Sequence, residues 1–241
     1  MTDIYVTSFF RPEFTVKTVN LIRERTEEGT YRIHVYDNGS DMDTITKLMQ
    51  LRTENKIDSL MLDSRNTGCL YNKGVFHSMT ESHSKYYVVT DNDVFPPKLT
   101  PDWLIQMVNI MEKYPEIALL TPQLPPQSFQ MPYALNDDVV YARAVGNTFK
   151  MVRREDFPFG EYAQKIGEYG DDGLISDLMH KKGKKVAFCR NIFCYHAGQC
   201  VDCGYKKEEL EKDPRKADYG EPFTYNFANE ETYEPEPKWR M

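Results

Sequence analysis

The chain has 241 residues and a formal net charge of −7 at pH 7. This acidic balance argues against a nucleic-acid partner, because nucleic-acid-binding proteins usually carry a basic stripe. It does not exclude a nucleotide ligand, since a bound metal ion can supply the positive charge. Hydrophobic residues make up 40% of the chain and aromatic residues 13%, a composition that excludes a disordered protein and provides for a sizeable core.

Three features bear on the compartment. No stretch approaches the roughly 18 apolar residues needed to cross a bilayer. The first residues lack the basic and apolar regions of a secretory signal. The five cysteines are an odd number, which suits a reducing compartment, and the lone pair Cys200 and Cys203 has no second pair to complete a zinc site. We therefore expect a soluble, cytoplasmic protein without an integral membrane segment.

The first half of the chain alternates between two patterns. Runs of β-branched and aromatic residues predict strands at residues 4–10, 31–36, 59–63, 86–89 and 117–121. Helical apolar spacing follows each of the first four, at residues 13–25, around Leu48, around Val75 and after Pro101. This alternation predicts an α/β fold with a doubly wound, mostly parallel, Rossmann-like sheet.

The second half has a different rhythm. Residues 122–132 are rich in Pro and Gln and predict an exposed loop. Strands are predicted at residues 139–145, 148–152, 186–189 and 192–195, with a short helix opened by acidic residues after Gly170. We expect these elements to form a small antiparallel portion beside the main sheet. From residue 204 the chain is polar, and no clear domain linker is present.

Polar turns follow four predicted strands, after Phe10, Tyr36, Asp63 and Thr90. Because ligands bind at the carboxyl ends of strands in such sheets, these turns should line one crevice. Asp91 and Asp93 leave a buried strand, and carboxylate oxygens there suit a divalent cation that keeps open positions for phosphate. The alternative is an ordinary solvated turn, in which Asp and Asn are common.

In this order the motifs resemble those of GT-A-type glycosyltransferases, family-2-like nucleotide-sugar enzymes, over about residues 4–198. Residues 7–12 stand where that family opens its nucleotide pocket, and residues 37–40 resemble its D-(N/D)-G-S turn. Residues 66–68 and 72–74 resemble its N-x-G segments, and residues 91–93 match its D-x-D metal motif. The resemblance implies donor contacts from Thr7, Ser8, Phe9, Arg11, Asp37, Asn38, Asn66, Gly68, Asn72, Asp91, Asn92 and Asp93.

The resemblance also implies a metal site for Mn²⁺ or Mg²⁺. Asp93 would be the stronger ligand, and Asp91 would contact the ribose or a metal-bound water. His196 resembles the histidine at a strand end that often completes the ligand set in the family. The alternative for His196 is a strand-end histidine with ordinary protein partners. For Arg11 we weigh equally a contact with phosphate and a role in ending the first strand.

Residues 170–172, Gly-Asp-Asp, stand where many family members carry G-E-D before a helix. The resemblance implies that Asp172 is the general base of an inverting enzyme, with Asp171 as the competing choice. Asp171 replaces the family's Glu, which shortens the reach of this carboxylate. If the reaction retains configuration, both carboxylates would instead bind acceptor or donor sugar. The simpler interpretation of one of them is a helix cap.

Together these features predict a transferase that moves a hexose or pentose from a UDP-sugar to a hydroxyl of a glycan or glycoprotein. UDP is favoured because a carboxylate at Asp37 would accept from the N3–H of uracil. We expect one domain, with a nucleotide-sugar half at residues 1–121, an acceptor and catalytic half at 122–203 and a polar extension at 204–241. The compact layout is similar to that of glycosyltransferases of large algal viruses, which suggests a viral or bacterial enzyme.

Two other functions stay open at this point. A nucleotidyltransferase that makes the activated sugar would need a glycine-rich basic loop after the first strand, and residues 9–12 contain no glycine. A non-catalytic module that binds nucleotide sugars or glycans would not need Asp171 or Asp172.

Overall fold

A computed structural model describes residues 1–64, 81–124, 132–146, 148–165 and 171–197, with the backbone alone at residues 171 and 172. The strands in these ranges are β1 (Thr2–Ser8), β2 (Tyr31–Asp37), β3 (Ser59–Leu62), β4 (Tyr86–Asp91), β5 (Val94–Phe95), β6 (Ile117–Gln123), β7 (Pro132–Leu135), β8 (Val139–Ala142), β9 (Phe149–Arg153), β10 (Lys185–Phe193) and β11 (Tyr195–His196). The α-helices are α1 (Pro12–Arg25), α2 (Met42–Thr53), α3 (Trp103–Lys113), α4 (Phe159–Lys165) and α5 (Asp171–Lys181). None of these helices is long and apolar enough to cross a membrane.

Nine strands form one sheet in the order β3-β2-β1-β4-β9-β6-β10-β8-β7. Neighbours from β3 to β4 pair in parallel, as do β6 and β10, whereas β9 and β8 run antiparallel to their neighbours. The predicted α/β class with a mostly parallel sheet and a small antiparallel portion is therefore confirmed. The chain moves outward from β1 through β2 to β3 and then returns to the other side of β1 with β4. The carboxyl ends of β1 and β4 thus form a switch point, where sheets of this kind bind ligands.

Helices cover both faces of the sheet, which explains why its central strands are buried. One hydrophobic cluster includes Ile22 of α1, Leu48 of α2 and Trp103 of α3, together with the even-numbered residues Ile4 and Val6 of β1. The second cluster includes Tyr5 of β1, Tyr162 of α4 and Leu174 of α5. Because side chains alternate along a strand, β1 contributes to both clusters. This packing leaves the strand ends free to carry the site.

Two predictions for the second half need correction. Pro122 and Gln123 are buried at the end of β6, so the predicted exposed loop does not begin there. The amide of Gln123 donates to the carbonyl oxygen of Cys189 on β10 at 3.3 Å, which holds this end of the strand inside the sheet. The two strands predicted at residues 186–189 and 192–195 are instead one strand, β10, followed by the short β11. The helix predicted around Val75 lies outside the described residues. Residues 125–131 of the predicted loop also lie outside them.

Candidate active site

A row of side chains lies at the switch point. Thr7 pairs in register with Tyr36 of β2 on one side and with Asp91 of β4 on the other. Paired residues on neighbouring strands point to the same face, about 4.8 Å apart. Thr7 and Asp91 are half-buried, whereas Thr90 and Ser8 beside them are fully buried. Thr7 and Asp91 are therefore the residues of β1 and β4 that reach the rim of the crevice.

The second carboxylate of the motif, Asp93, is joined to a segment that lies much later in the chain. Strand β11 pairs antiparallel with β5, which sets His196 opposite Val94. The backbone N–H of Ala197 donates to the carbonyl oxygen of Asp93 at 2.9 Å. As a result Nε2 of His196 lies 3.5 Å from Oδ1 of Asp93, and both side chains are at least nine-tenths buried. The structure thus brings together two residues that the sequence resemblance paired.

Arg11 occupies the other oxygen of Asp93. Its Nη1 donates to Oδ2 of Asp93 at 2.9 Å, and its Nη2 donates to Oδ1 of Asn92 at 3.2 Å. The guanidinium also lies 5.6 Å from the centre of the Phe14 ring and is 6% exposed. The structure therefore joins Arg11 to the D-x-D segment, and its contact with phosphate stays a prediction.

The turn that presents Arg11 is strained. Phe10 and Arg11 both have left-handed backbone angles, with φ of 51° and 53°. Such angles cost on the order of 1 kcal/mol or more for a residue other than glycine, so surrounding contacts must hold them. Oγ of Ser40 accepts from the N–H of Phe10 at 2.8 Å, and the amide of Asn92 donates to the carbonyl oxygen of Phe10 at 3.3 Å. Two other strand-end turns thus hold the first one in place.

Asp37 supports that turn through its hydrogen bonds with Ser40. Its Oδ1 accepts from the backbone N–H of Ser40 at 2.8 Å, and its Oδ2 accepts from Oγ of the same residue at 2.5 Å. Burial raises the pKa of Asp37, and the hydrogen bonds from Ser40 offset only part of that rise. Because Asp37 is fully buried, the geometry gives it a role in fixing Ser40. The contact with uracil stays a prediction.

Burial and charge act in opposite directions on the Asp93 pair. Burial alone would raise the pKa of the Asp93 carboxyl, but the charges of Arg11 and His196 lower this pKa by more than burial raises it. The carboxyl is therefore ionised. Burial would lower the pKa of His196, but Asp93 and then Asp91 raise it overall. Both carboxylates of the motif thus favour the charged form of the imidazole.

The geometry fits a divalent cation. Two ligands of one cation, each about 2.1 Å from it, lie roughly 3–4 Å apart, and Asp93 Oδ1 and His196 Nε2 are separated by 3.5 Å. In the described part of the chain, no cluster of three or more His, Cys, Asp or Glu side chains could hold a metal. Mg²⁺ is commonly held by one or two carboxylates together with phosphate oxygens and water, so a site that contains Asp93 fits a cation of this kind.

The remaining predicted residues divide into three groups. Ser8, Phe9, Asn38 and Asn92 are buried beside the turn; Asn92 also accepts from Oγ1 of Thr18 through its carbonyl at 2.7 Å. Asn66, Gly68 and Asn72 lie outside the described residues. Helix α5 begins at Asp171 and Asp172, as predicted, but their side chains lie outside the described part. Sequence reasoning missed Ser40, Thr15 and Thr18 as supports of the turn; Ser40 ends the segment that resembles the D-(N/D)-G-S turn, whereas no motif marks the two threonines.

Comparison with known proteins adds the fold to this geometry. No protein-family model matches the chain, and no curated protein matches it. Solved structures do match. GalNAc-T7, crystallised with UDP, GalNAc and Mn²⁺, superposes with a TM-score of 0.64 at 13% identity, over 81% of this chain and 44% of that one. The chain has the GT-A fold.

Two further structures with the GT-A fold are similar. The mannosyltransferase PcManGT from Pyrobaculum calidifontis, in complex with GDP-Man and Mn²⁺, gives a TM-score of 0.61 at 12% identity and covers 90% of this chain and 61% of that one. S. aureus TarS 1-349, in complex with UDP-GlcNAc, gives 0.62 at 11% identity, over 88% and 64%. The chain therefore spans between 44% and 64% of these three proteins, and the likeness concerns the fold.

Proposed function

We propose that this chain is a metal-dependent glycosyltransferase that uses a nucleoside diphosphate sugar, with a UDP-sugar as the first donor to test. The observation that carries the proposal is the pairing of Asp93 Oδ1 with His196 Nε2 at 3.5 Å, beside the switch point of the sheet. The proposal is also supported by the GT-A fold, since the similar structures were solved with UDP, UDP-GlcNAc or GDP-Man, two of them with Mn²⁺.

In this proposal each strand end has one task. Asp93 and His196 hold Mn²⁺ or Mg²⁺, and Asp91 and Thr7 face the donor from the rim. A cation held there would stabilise the charge that develops on the leaving diphosphate. Asn66, Gly68 and Asn72 contact base and ribose, as the sequence resemblance implies. The acceptor is a hydroxyl of a glycan or glycoprotein.

The transfer itself is a displacement at the anomeric carbon. The bond from that carbon to the diphosphate oxygen breaks, and its electron pair leaves with the nucleoside diphosphate. The acceptor oxygen forms the new bond, and Asp172 takes its proton if configuration is inverted. General base catalysis of this kind commonly contributes 10²- to 10⁴-fold. Asp171, one residue earlier on α5, is the competing base.

The test is a panel of UDP- and GDP-sugars, each incubated with the purified chain in Mn²⁺ and in EDTA. The readout is release of nucleoside diphosphate. We expect release from at least one UDP-sugar in Mn²⁺, and a loss of more than about 100-fold in Asp93→Asn. Asp172→Asn should lower the rate by about 100-fold or more, and Asp171→Asn by less.

Three results would contradict the proposal. Equal activity in EDTA or in Asp93→Asn would remove the metal role, and full transfer by Asp172→Asn would remove the base. Release of pyrophosphate from UTP and a sugar 1-phosphate would identify a nucleotidyltransferase instead. Arg23→Gln, which changes an exposed residue of α1, serves as the control and should retain wild-type rates.

A further inference from the structure

Asp93 already has a cationic partner inside the protein. Arg11 and Asp93 are 6% and 5% exposed at their side chains, and Nη1 and Oδ2 are 2.9 Å apart. The pair is therefore largely shielded from water. In such a buried setting the attraction between charges is stronger than at the surface. Arg11 binds Oδ2 and leaves Oδ1 directed at His196. Any cation that binds Asp93 and His196 must do so beside a fixed positive charge.

The protein maintains this arrangement at a cost. The left-handed angles at Phe10 and Arg11 are unfavourable for side chains of this size. Asn92 links the two ends of the arrangement, because its Oδ1 accepts from Arg11 and its Nδ2 donates to Oγ1 of Thr15 at 3.0 Å and to the carbonyl oxygen of Phe10. A turn needed only to end a strand would not require a guanidinium directed inward. The contacts instead fix the charge at one oxygen of the metal-binding carboxylate.

We propose that Arg11 is a positioning residue that sets the order of binding at the metal site. Its charge disfavours the divalent cation in the absence of nucleotide and favours the diphosphate in the absence of metal. The cation therefore enters with the donor or after it. Arg11 also limits Asp93 to coordination through Oδ1. This inference rests on the proposed function, because it takes Asp93 and His196 as ligands and a nucleoside diphosphate as the partner.

The proposal predicts effects of opposite sign from one substitution. In Arg11→Gln, the repulsion of a cation and the attraction of a diphosphate are both lost. We expect Mn²⁺ to bind the nucleotide-free protein at least about tenfold more tightly, and UDP to bind in EDTA about threefold or more weakly, because removing one nearby charge is worth such factors in a buried setting. A purely structural role for Arg11 would weaken both, because loosening the turn would disorder both binding sites.

The experiment measures Mn²⁺ binding by the EPR signal of the free ion, and UDP binding in EDTA by calorimetry. Arg11→Lys keeps the charge but cannot make both contacts of the guanidinium, so it should bind Mn²⁺ less tightly than Arg11→Gln and UDP in EDTA more tightly than Arg11→Gln. Arg23→Gln removes the same charge from an exposed position on α1 and should leave both unchanged. Tighter Mn²⁺ binding together with weaker UDP binding in Arg11→Gln, and in that variant alone, supports the proposal.

Unchanged or weaker Mn²⁺ binding in Arg11→Gln overturns it. If this variant is less stable than wild type, its unfolding temperature is compared in EDTA and in Mn²⁺. The proposal then requires a larger rise on adding Mn²⁺ than in wild type, and an equal or smaller rise overturns it. Asp93→Asn separates the two claims. If Asp93→Asn binds Mn²⁺ like wild type, the proposed metal site is wrong; if it does not bind and Arg11→Gln equals wild type, only the role of Arg11 is wrong.

Discussion

Asp3 and Asp93 are two buried carboxylates at opposite ends of the neighbouring parallel strands β1 and β4. They have similar partners and different surroundings. Asp3 lies at the start of β1, away from the crevice, and contacts Arg32 at 2.7 Å and His34 at 3.1 Å. Asp93 follows β4 at the crevice and has Arg11 at 2.9 Å and His196 at 3.5 Å. Each carboxylate thus has one arginine and one histidine. The comparison distinguishes the contacts by which a buried carboxylate stabilises the fold from the contacts by which it could bind a ligand.

The difference lies in the geometry of the contacts around each carboxylate. Oδ2 of Asp3 accepts from the hydroxyls of Ser82 at 3.0 Å and Ser84 at 2.8 Å, while Oδ1 accepts from the arginine and the histidine. The second ring nitrogen of His34 is bonded to Oγ of Ser59 at 2.8 Å. Both oxygens of Asp3 and both ring nitrogens of His34 thus take part in hydrogen bonds, and a network of this kind stabilises the fold.

The contact between Asp93 and His196 in the crevice has a different geometry. The separation of 3.5 Å between Asp93 Oδ1 and His196 Nε2 is long for a hydrogen bond. Nδ1 of His196 is buried without a hydrogen-bond partner among the described residues. Buried polar groups are normally satisfied, and exceptions are common at functional sites. In this comparison a long contact and a buried imidazole nitrogen, rather than the kinds of residue, distinguish the candidate site from the Asp3 network.

The largest effect on stability should come from the closed network. Asp3→Ala removes the acceptor of two buried hydroxyls, a histidine and an arginine, and we expect the free energy of unfolding to fall by roughly 3 kcal/mol. Urea unfolding measures this loss. Asp43→Ala, which removes a carboxylate that is 70% exposed on α2, is the control and should change stability by less than about 0.5 kcal/mol. Weaker Mn²⁺ binding in a folded Asp3→Ala protein would contradict the division between the two regions.

Substitutions of the two histidines, His196 and His34, should differ in their effect on Mn²⁺ affinity. His196→Gln removes a proposed ligand, and Mn²⁺ affinity in the presence of UDP should fall at least about tenfold, since even outer partners of metal ligands contribute that much. His34→Gln should leave Mn²⁺ affinity within about twofold and lower stability instead by roughly 1 kcal/mol. EPR titration and urea unfolding of both variants give the comparison. Equal loss of Mn²⁺ affinity in the two would show that the effect is not local.

The closed network should also respond to acid. Burial would raise the pKa of Asp3, but the hydrogen bonds from His34, Ser84 and Ser82 and the charge of Arg32 lower it overall. A carboxyl with a lowered pKa stabilises the fold above its unfolded pKa of about 3.9, and this contribution is lost as the pH falls toward the folded pKa. Wild type should therefore lose more stability between pH 6 and pH 3 than Asp3→Asn. Parallel curves of unfolding free energy against pH would contradict this assignment.

The smallest effect should come from Ser40→Ala. The N–H of Phe10 loses its acceptor, and the free energy of unfolding should fall by about 1 kcal/mol. Because the strained turn carries Arg11, UDP binding in EDTA should also weaken. Ser59→Ala removes the hydroxyl that bonds His34 and should lower stability by a similar amount without affecting UDP. Both properties are measured by urea unfolding and calorimetry, and unchanged UDP binding in Ser40→Ala would separate the turn from the donor site.

The sequence contained most of the sheet, because its central strands are continuous runs of β-branched and aromatic residues. It did not contain the pairing of β5 with β11. Each of these strands has two residues, too few for any period, and the pairing joins distant parts of the chain. The residue types at Asp93 and His196 were visible in the sequence, and their separation was not.

The turn at Phe10 and Arg11 was equally hidden. Positive φ angles are expected at Gly or Asn, and neither residue type occurs there. Nothing in the sequence predicts that Ser40 and Asn92 would hold these angles, because both contacts span long stretches of chain. Local sequence preference therefore predicted that the strand ends at this turn, and tertiary contacts determine where the side chain of Arg11 points.

The pairing of β5 with β11 has a consequence for how the protein is made. Asp93, Arg11 and the first four parallel strands are all synthesised in the first half of the chain, whereas His196 belongs to the last strand that the structure describes. A ribosome that stops before Tyr195 releases a product that contains the carboxylate and its arginine but lacks the imidazole. Translation must therefore continue well beyond Asp93, as far as His196, before the proposed cation site can close, so products terminated between these two residues cannot assemble it.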